Sequence, residues 1–477
     1  MTSRSAKKPG RRPGLLHRAA GMLASRLLVL VLAASLVLPL PAHAFYFGGV
    51  TLRDEKEMGH KFDVAIRSSI SMVEDPEISS YVKNLVARIV RAIPPQPYNF
   101  KTGIILHNSM NAFAVPAGYV YVLTGLLMNF PSEDAVAGVL CHELAHVTQR
   151  HTAQRLERSQ IISLGSLLLA VAGVAVGGGG AAAMGAIGAG QSAMLNYSRA
   201  DETEADQVGM QYLIKAGYSP AGMVDGFKIL RNKSTMMGVN VPVYLSTHPD
   251  LGDRITGIIA RMHNMPASVV NRRADPKAFT RMQVLLWGRF GTPQTALLRF
   301  RGSDGLSLMG RGMVYSRLNN VTEAAKCFSE AVAKSPNDSL VLREAGIFNY
   351  RKGSAQTARE LLTKALQLDR SDYMASFFLA RLQDDEGQHA QAQASFRDVL
   401  RAVPEDAEVH EAMARSYGAA RNQGMAYIHM TYSALYQHKK EQAKKYFDKA
   451  KAIAGTSPEF RKLEKVYKER KEIWEKL

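Results

Sequence analysis

The chain has 477 residues, enough for about three domains of ordinary size. Its 46% hydrophobic and 21% charged residues are typical of a globular protein, which excludes a mainly disordered or collagen-like chain, and two cysteines exclude a disulfide scaffold. The formal charge of +18 does not require a nucleic-acid partner, because residues 1–44 carry seven of the 60 cations and no acid.

The N-terminus has the layout of a secretory signal peptide. The basic segment is followed by an apolar run from Leu27 to Leu40 and then by Ala42-His43-Ala44, whose small residues predict cleavage after Ala44. The apolar run is shorter than the roughly 20 residues that a spanning helix needs, which disfavours a retained anchor. Arg11-Arg12 leaves both Sec and twin-arginine export open.

A second feature is a Cys-His-Glu-Leu-Ala-His sequence at residues 141–146, which contains HExxH. On a helix, residues four apart share a face, so His142 and His146 can bind one metal ion while Glu143 reaches a water molecule bound there. Ser132 is a candidate N-cap, and the residues that follow predict a helix extending to Gln154. The pattern therefore predicts a hydrolytic zinc site, which needs a third protein ligand.

Glu202 is the predicted third ligand, since it lies in an acidic cluster that opens a second helix. Asp206 is four residues further on and shares its face, where it can orient a ligand histidine or pass a proton. Glu204 is rotated away and is predicted to be a solvated acid. His151 lies five residues after His146 with no glycine to turn the chain back, so we interpret it as a surface or core histidine.

From about Gly302 onward the pattern is uniformly helical and repetitive. Asp338, Asp372 and Asp406 are spaced by 34 residues, the period of tetratricopeptide repeats. The last charged helix, from Ser457, is predicted to cap the array, and the regular spacing is expected to break before Ala443. Such repeats predict a docking surface for another protein; the alternative is a module that only supports the first domain. Small, aromatic and proline residues support the first unit at Gly312, Tyr315, Ala324, Phe328, Ala331 and Pro336.

Four segments together resemble the gluzincin metallopeptidases related to the CAAX prenyl endopeptidase, and within them the BepA/YfgC-like periplasmic proteases with C-terminal tetratricopeptide repeats. They are the run from Asn111 to Gly118, the HExxH run to His151, the SRxxExEADxxG run from Ser198 to Gly209, and Thr247-His248-Pro249. Ala117 departs from the family, which often has glycine there.

The resemblance implies an α+β, mostly helical fold. A gluzincin metalloprotease domain is expected over residues 45–285, a linker or connecting helix over 286–302, and an all-α tetratricopeptide-repeat solenoid with a capping helix over 303–477. The resemblance further implies one Zn²⁺ per chain, held by His142, His146 and Glu202.

The catalytic roles implied by the resemblance fall on four residues. Glu143 is expected to act as general base and Asp206 as proton donor or as a residue that orients a ligand. His248 and Arg254 are candidate donors to the charge that develops on the attacked carbonyl. His248 can alternatively occupy the fourth zinc position and hold the enzyme shut, and the sequence leaves both roles open.

The implied function is that of a zinc metalloendopeptidase in periplasmic quality control and assembly of outer-membrane proteins. Expected partners are unfolded or misassembled proteins, above all outer-membrane proteins, and their assembly machinery through the repeats. The alternative is a chaperone or scaffold in which zinc is structural. Glu143 separates the two, because a structural site has no use for a carboxylate beside a ligand histidine.

Two further segments are expected to contact substrate or lipid. A bound peptide would add as a strand to an exposed sheet edge, and residues 119–122 are the best candidate for that edge. Residues 159–198 carry no charge but many glycines, which favours an apolar flap in peripheral contact with a membrane or an unfolded substrate over a membrane span. A membrane-embedded protease is a third alternative.

Overall fold

The computed structural model describes residues 50–159, 197–236, 244, 248 and 250–475. The predicted signal peptide and most of the uncharged stretch therefore lie outside the described residues. Among the helices of the described ranges, none is long and apolar enough to cross a membrane.

Residues 50–290 form helices around a small sheet, in agreement with the predicted α+β, mostly helical class. The strands are β1 (Lys101–Ile105), β2 (Ala112–Val115) and β3 (Tyr119–Leu123). The helices are α1 (Leu52–Ser69), α2 (Pro76–Val90), α3 (Thr124–Asn129), α4 (Glu133–Thr148), α5 (His151–Ser159), α6 (Arg199–Lys215), α7 (Ala221–Met236), α8 (Leu251–His263), α9 (Ala267–Val270) and α10 (Pro276–Phe290).

The sheet has the strand order β1-β3-β2, with β1 parallel and β2 antiparallel to β3. The strand at residues 119–122 is thus the central one, and the prediction that it offers an exposed edge is wrong. The physical reason is the turn at Pro116–Gly118, which folds β2 back onto one side of β3 while β1 pairs with the other side. Strand β2 is the outer strand next to α4.

Helix α4 carries the HExxH sequence through the core. Ser132 caps it by accepting a hydrogen bond from the backbone N–H of Ala135, as predicted. The prediction of one continuous helix to Gln154 is wrong, because Arg150 has a left-handed backbone with φ of 57° and separates α4 from α5. The Arg150 guanidinium is held by Glu55 and by the backbone carbonyl of Val50, each at 2.7 Å.

Glycines allow the neighbouring helices to approach α4 closely. A Cβ atom on Gly209 of α6 would lie 2.9 Å from the carbonyl oxygen of Cys141, and one on Gly138 of α4 would lie 2.5 Å from the Cα of Met223 in α7. Real Cβ atoms rarely come so near, so only glycine permits these crossings. The close packing explains why the whole HExxH turn is buried. Cys141 is a free, fully buried cysteine.

The repeats begin after a short helix and form pairs of helices. Their first helices start at 305, 339, 373, 407 and 440, and the N-cap of each of the first four is an aspartate whose side chain accepts backbone hydrogen bonds. These helices are α11 (Pro293–Arg299), α12 (Gly305–Arg317), α13 (Val321–Lys334), α14 (Ser339–Arg351), α15 (Ala355–Leu368), α16 (Tyr373–Asp385), α17 (His389–Ala402), α18 (Ala407–Ala419), α19 (Gln423–Tyr436), α20 (Lys440–Ala454) and α21 (Pro458–Glu475).

The predicted break in spacing before Ala443 is wrong. Ala392 lies in α17, the second helix of its pair, whereas Ala443 lies in α20, the first helix of the next unit. The interval between these two residues therefore includes an extra half repeat, and the array of repeats continues without a break. The charged helix α21 packs on α19 and α20 through Phe460, Leu463 and Tyr467, as predicted for a cap.

The repeats are joined to the first part of the chain by a shared core and by buried ion pairs. One hydrophobic cluster extends without interruption from Val73 to Phe348, so it crosses residue 285, which itself lies inside α10. Arg289 of α10 pairs with Asp75 and, at 2.7 Å, with Glu344 of α14. Arg343 of α14 pairs with Glu77 of α2 at 2.6 Å.

Candidate metal centre

Three elements bring four potential metal ligands together. His142 and His146 come from α4, Glu202 from the first turn of α6, and His248 from just before α8. One donor atom of each lies within 4.8 Å of those of the others, and all four residues are at most 2% exposed. The sequence spacing had predicted the first three as one set and had left His248 with two roles.

The spacing of the donor atoms matches that of a zinc site. The Nε2 atoms of His142 and His146 are 3.0 Å apart, and they lie 3.4 and 3.5 Å from the carboxylate oxygens of Glu202. In a tetrahedron with bonds of about 2.1 Å, neighbouring ligand atoms are separated by about 3.4 Å. Two imidazole lone pairs and a carboxylate directed at one point are the donor set that zinc prefers, so these residues fit the metal.

Glu143 follows His142 on α4 and is 2% exposed. Its Oε1 makes no hydrogen bond with the described residues and lies 3.5 Å from Nε2 of His248. Burial raises the pKa of this carboxyl above its usual value, against the opposing effect of His248 and His142. A buried carboxylate with a raised pKa and a free oxygen is suited to accept and return a proton.

Asp206 and Arg254 form a buried pair behind His142. Asp206 receives hydrogen bonds from Nε and Nη2 of Arg254 at 2.8 and 2.7 Å, and its Oδ1 lies 3.0 Å from Nδ1 of His142. Burial alone would raise the pKa of Asp206, but the hydrogen bonds from Arg254 and His142 outweigh it and hold the pKa below its usual value. Asp206 thus fixes the ring of His142 and directs its Nε2 to the other donors.

His248 takes part in the donor cluster itself. Its Nδ1 lies 2.8 Å from Oε1 of Glu202 and 3.3 Å from Nε2 of His142. The ring is stacked on Tyr244 with centroids 4.4 Å apart and faces Tyr197 on another side at 5.2 Å. This position puts Nδ1 of His248 among the possible metal donors, while its Nε2 lies 3.5 Å from Oε1 of Glu143. Arg254 is engaged with Asp206 and, through Nη1, with Glu202.

Sequence reasoning missed two contributors to the site. Tyr197 stacks on His146 with centroids 3.8 Å apart, and no motif spacing marks this tyrosine. His151 is buried, which agrees with the core interpretation, but it also contacts His146 by a hydrogen bond of 2.9 Å between the two Nδ1 atoms. The left-handed Arg150 brings it there, and a helical projection could not have shown this.

The chemistry that these groups support is hydrolysis. Zinc in such a set supplies a Lewis acid and lowers the pKa of a water molecule. With zinc bound by these residues, Glu143 would be placed to accept the proton of that water and pass it to the leaving group, and Asp206 would keep His142 in one tautomer.

A buried HExxH helix completed by a carboxylate from a second helix, here α6, defines a zinc metallopeptidase domain. The comparisons with known proteins agree, since the profile of peptidase family M48 matches residues 73–262. Two tetratricopeptide-repeat profiles match residues 309–373 and 350–416. The chain therefore contains a peptidase M48 domain, of a zinc-dependent metallopeptidase family, followed by tetratricopeptide repeats.

Individual relatives carry related names. The chain is 35% identical over 228 residues to a putative beta-barrel assembly-enhancing protease of Vibrio cholerae, and the alignment covers 46% of each chain. It is 26% identical over 332 residues to the beta-barrel assembly-enhancing protease of Escherichia coli, which covers 67% of this chain and 68% of that one. The chain thus spans about half of the first relative and two thirds of the second.

More distant similarities exist. The mitochondrial metalloendopeptidase OMA1 of Schizosaccharomyces pombe is 28% identical over 218 residues, or 44% of this chain and 62% of that one. Among solved structures, PilW, a type IV pilus biogenesis factor, aligns over 40% of this chain and 99% of its own at 18% identity, with a TM-score of 0.30.

Proposed function

We propose that this chain is an exported zinc metalloendopeptidase that acts on unfolded or misassembled outer-membrane proteins. The observation that carries the proposal is Glu143, whose buried Oε1 lacks a hydrogen-bond partner among the described residues and lies beside the donor cluster. Burying a carboxylate in this way is costly, and a purely structural metal would not require it. The names of the bacterial relatives support the class of substrate.

The proposed roles follow the geometry. His142, His146 and Glu202 bind one Zn²⁺, Glu143 is the general base, and Asp206 with Arg254 orients His142. The proposed division of the chain is a signal peptide at 1–44, a peptidase domain to residue 285, a connection over 286–302, and repeats from 303 that contact substrates or the outer-membrane assembly machinery. The proposed location is the periplasm, with residues 159–198 in peripheral contact with a membrane or substrate.

The proposed binding edge for substrate is β2. The backbone N–H of Leu123 donates to the carbonyl of Asn111 at 3.0 Å, so pairs at positions 111, 113 and 115 form the hydrogen bonds to β3. The N–H and C=O groups of Ala112 and Ala114 consequently face away from β3. A peptide added along this edge would lie beside α4, which carries Glu143.

The proposed pairing of a substrate peptide with β2 can be tested with peptides that carry single N-methyl groups. N-methylation removes a backbone donor, so only alternate positions of a cleavable peptide should lose binding if the peptide pairs with β2. Methylation that reduces cleavage equally at every position would contradict the strand arrangement.

A second candidate function is a chaperone or scaffold with a structural zinc site. The position of His248 favours it, because a fourth protein ligand closes the site to water. The two functions differ in the effect of removing that ring. In a peptidase whose resting state is closed, His248→Ala should increase cleavage, whereas in a scaffold it should only weaken zinc binding.

The deciding experiment is degradation of casein by the purified mature chain and by Glu143→Gln, with the zinc content of both determined. Cleavage that disappears in Glu143→Gln, while about one zinc per chain remains, supports the peptidase. If neither the mature chain nor His248→Ala cleaves casein although both contain zinc, the peptidase proposal is wrong and the scaffold stands.

A further inference from the structure

We propose that His151 and Glu204 form a positioning pair that fixes the orientation and the tautomer of His146. This inference rests on the proposed role of His146 as a zinc ligand. His151 is 1% exposed, and its Nδ1 lies 2.9 Å from Nδ1 of His146, the ring nitrogen turned away from the donor cluster. Its Nε2 lies 3.4 Å from Oε2 of Glu204 on α6.

The hydrogen bonds leave one arrangement of protons. The Nε2 atom of His146 lies among the proposed metal donors, so its lone pair would be used for zinc and its ring proton would be on Nδ1. That N–H can donate only to a lone pair on Nδ1 of His151. With Nδ1 of His151 accepting, its Nε2–H is placed to donate to the Glu204 carboxylate, 3.4 Å away.

The other histidine ligand, His142, is oriented in the same way but without an intervening histidine. The Nδ1 of His142 faces a carboxylate directly, since Oδ1 of Asp206 is 3.0 Å away. His146 has no carboxylate at that distance among the described residues and instead reaches Glu204 through His151. Each ligand ring is therefore held by a hydrogen bond at its Nδ1 atom. This hydrogen bond raises the basicity of the nitrogen that binds metal.

The backbone is built to place His151 at this position. Arg150 adopts φ of 57°, which ends α4 and returns the next residue toward His146. Its guanidinium is fixed by Glu55, which is only 3% exposed, and by the carbonyl of Val50. A left-handed arginine without such support would relax to an ordinary helix and would carry the His151 side chain away.

The test measures zinc binding rather than cleavage, so it remains informative if the chain proves not to be a peptidase. The full mature chain and its variants are titrated with zinc against a chelator, and the Co²⁺-substituted forms are compared by their visible spectra. His151→Leu removes the acceptor and should weaken zinc binding by about 10- to 100-fold and shift the cobalt bands. His151→Asn supplies an amide oxygen as acceptor and should retain the affinity within about threefold.

A matched control on the same short helix is Gln154→Ala, whose side chain bonds only the carbonyl of Gln149. It should leave the zinc affinity and the cobalt spectrum unchanged. If His151→Asn binds zinc as poorly as His151→Leu, or if His151→Leu binds as well as the parent, His151 acts only by packing and the inference is wrong.

A second pair of variants changes exposed residues only. It tests the inference even if His151→Leu does not fold. Glu204 is 54% exposed, so Glu204→Lys should fold. A lysine there would donate to Nε2 of His151 and force its proton onto Nδ1, against the N–H of His146, which should weaken zinc binding by about tenfold. Gln207→Lys adds a cation on an exposed position of the same helix and should change the affinity less than about twofold. Equal effects of the two lysines would overturn the inference.

Discussion

Gly209 on α6 faces the backbone of Cys141 on α4 so closely that a Cβ atom would lie 2.9 Å from its carbonyl oxygen. This contact sets the distance between the helix that carries the two histidines and the helix that carries Glu202. We expect Gly209→Ala to push α6 outward, to lower the free energy of unfolding by about 1–3 kcal/mol, and to weaken zinc binding. Urea unfolding and chelator competition measure the two effects.

The matched control for this substitution is Gly257→Ala in α8, where an added Cβ would meet only the end of the Arg261 side chain at 3.5 Å. Since glycine is unfavourable inside a helix, this change should stabilise the chain by about 0.5–1 kcal/mol. If Gly209→Ala behaved in the same way, the close approach of α6 to α4 would not be what fixes Glu202.

Asp206 is expected to act through His142 and not by itself. Replacing it with asparagine removes one acceptor, so the ring of His142 and the guanidinium of Arg254 can no longer both be satisfied. Zinc affinity should fall by about 10- to 100-fold, as measured by chelator competition. Asp253→Asn changes an exposed acid next to Arg254 and should have no such effect.

The ion pairs between α2, α10 and α14 should be essential for the attachment of the repeats. Arg343 is buried and contacts Glu77, Glu344 and Asp372. Arg343→Met removes this cation from Glu77 and Asp372, while Glu344 keeps Arg289, and it should reduce the free energy of unfolding by about 3–5 kcal/mol. The measurement is urea unfolding followed by circular dichroism.

An exposed pair on the repeats provides the comparison. Arg415 and Glu411 lie 3.1 Å apart on the surface of α18. Arg415→Met should therefore cost less than about 1 kcal/mol. Similar losses for the two arginine variants would show that the buried network does not stabilise the attachment.

Acidification should destabilise the repeats through a pair of buried histidines. His410 and His429 share a hydrogen bond of 2.8 Å between their Nδ1 atoms, and Nε2 of His410 faces the carbonyl of Pro404. Burial lowers the pKa of both rings below the value of about 6.5 expected in the unfolded chain. At pH values between the unfolded pKa and the lower folded pKa values, the unfolded state binds more protons than the folded state. The contribution of these histidines to the free energy of unfolding is therefore at its full value above pH 6.5 and decreases as the pH falls.

The expected loss is about 2 kcal/mol for each histidine between pH 7.5 and pH 5. It is measured from the urea midpoint at several pH values. Replacing both rings by glutamine should flatten the dependence, whereas His389→Gln, at a partly exposed position on α17, should leave it in place. An unchanged slope in the double variant would assign the pH dependence to other groups.

Local patterns were enough to predict the clustering of the proposed metal ligands and the period of the repeats. HExxH and the acidic cluster are spaced at helical intervals, so a projection places His142 and His146 on one face of their helix and Glu202 on one face of the other, and the structure brings these faces together. The 34-residue spacing of aspartates has a physical basis, because each one caps the first helix of a pair.

What the sequence did not predict depends on backbone geometry between elements. Arg150 is not a residue that usually turns a helix, and only its contacts with Glu55 and Val50 hold it in the left-handed region. Ala117 likewise adopts φ of 64° at the position where the resembled family often has glycine. The order of strands depends on that same turn, and for this reason the sequence did not show that the strand at residues 119–122 is central.

The hydrogen bond from Arg150 to the carbonyl of Val50 connects the beginning of the described chain to the end of the metal-binding helix. Glu55 in the first turn of α1 adds a charge to the same connection. Changes near Val50, such as trimming by another protease or fusion to an affinity tag, would therefore be transmitted to His151 and His146. Preparations of the protein that differ by a few residues near Val50 should differ in how firmly they retain zinc.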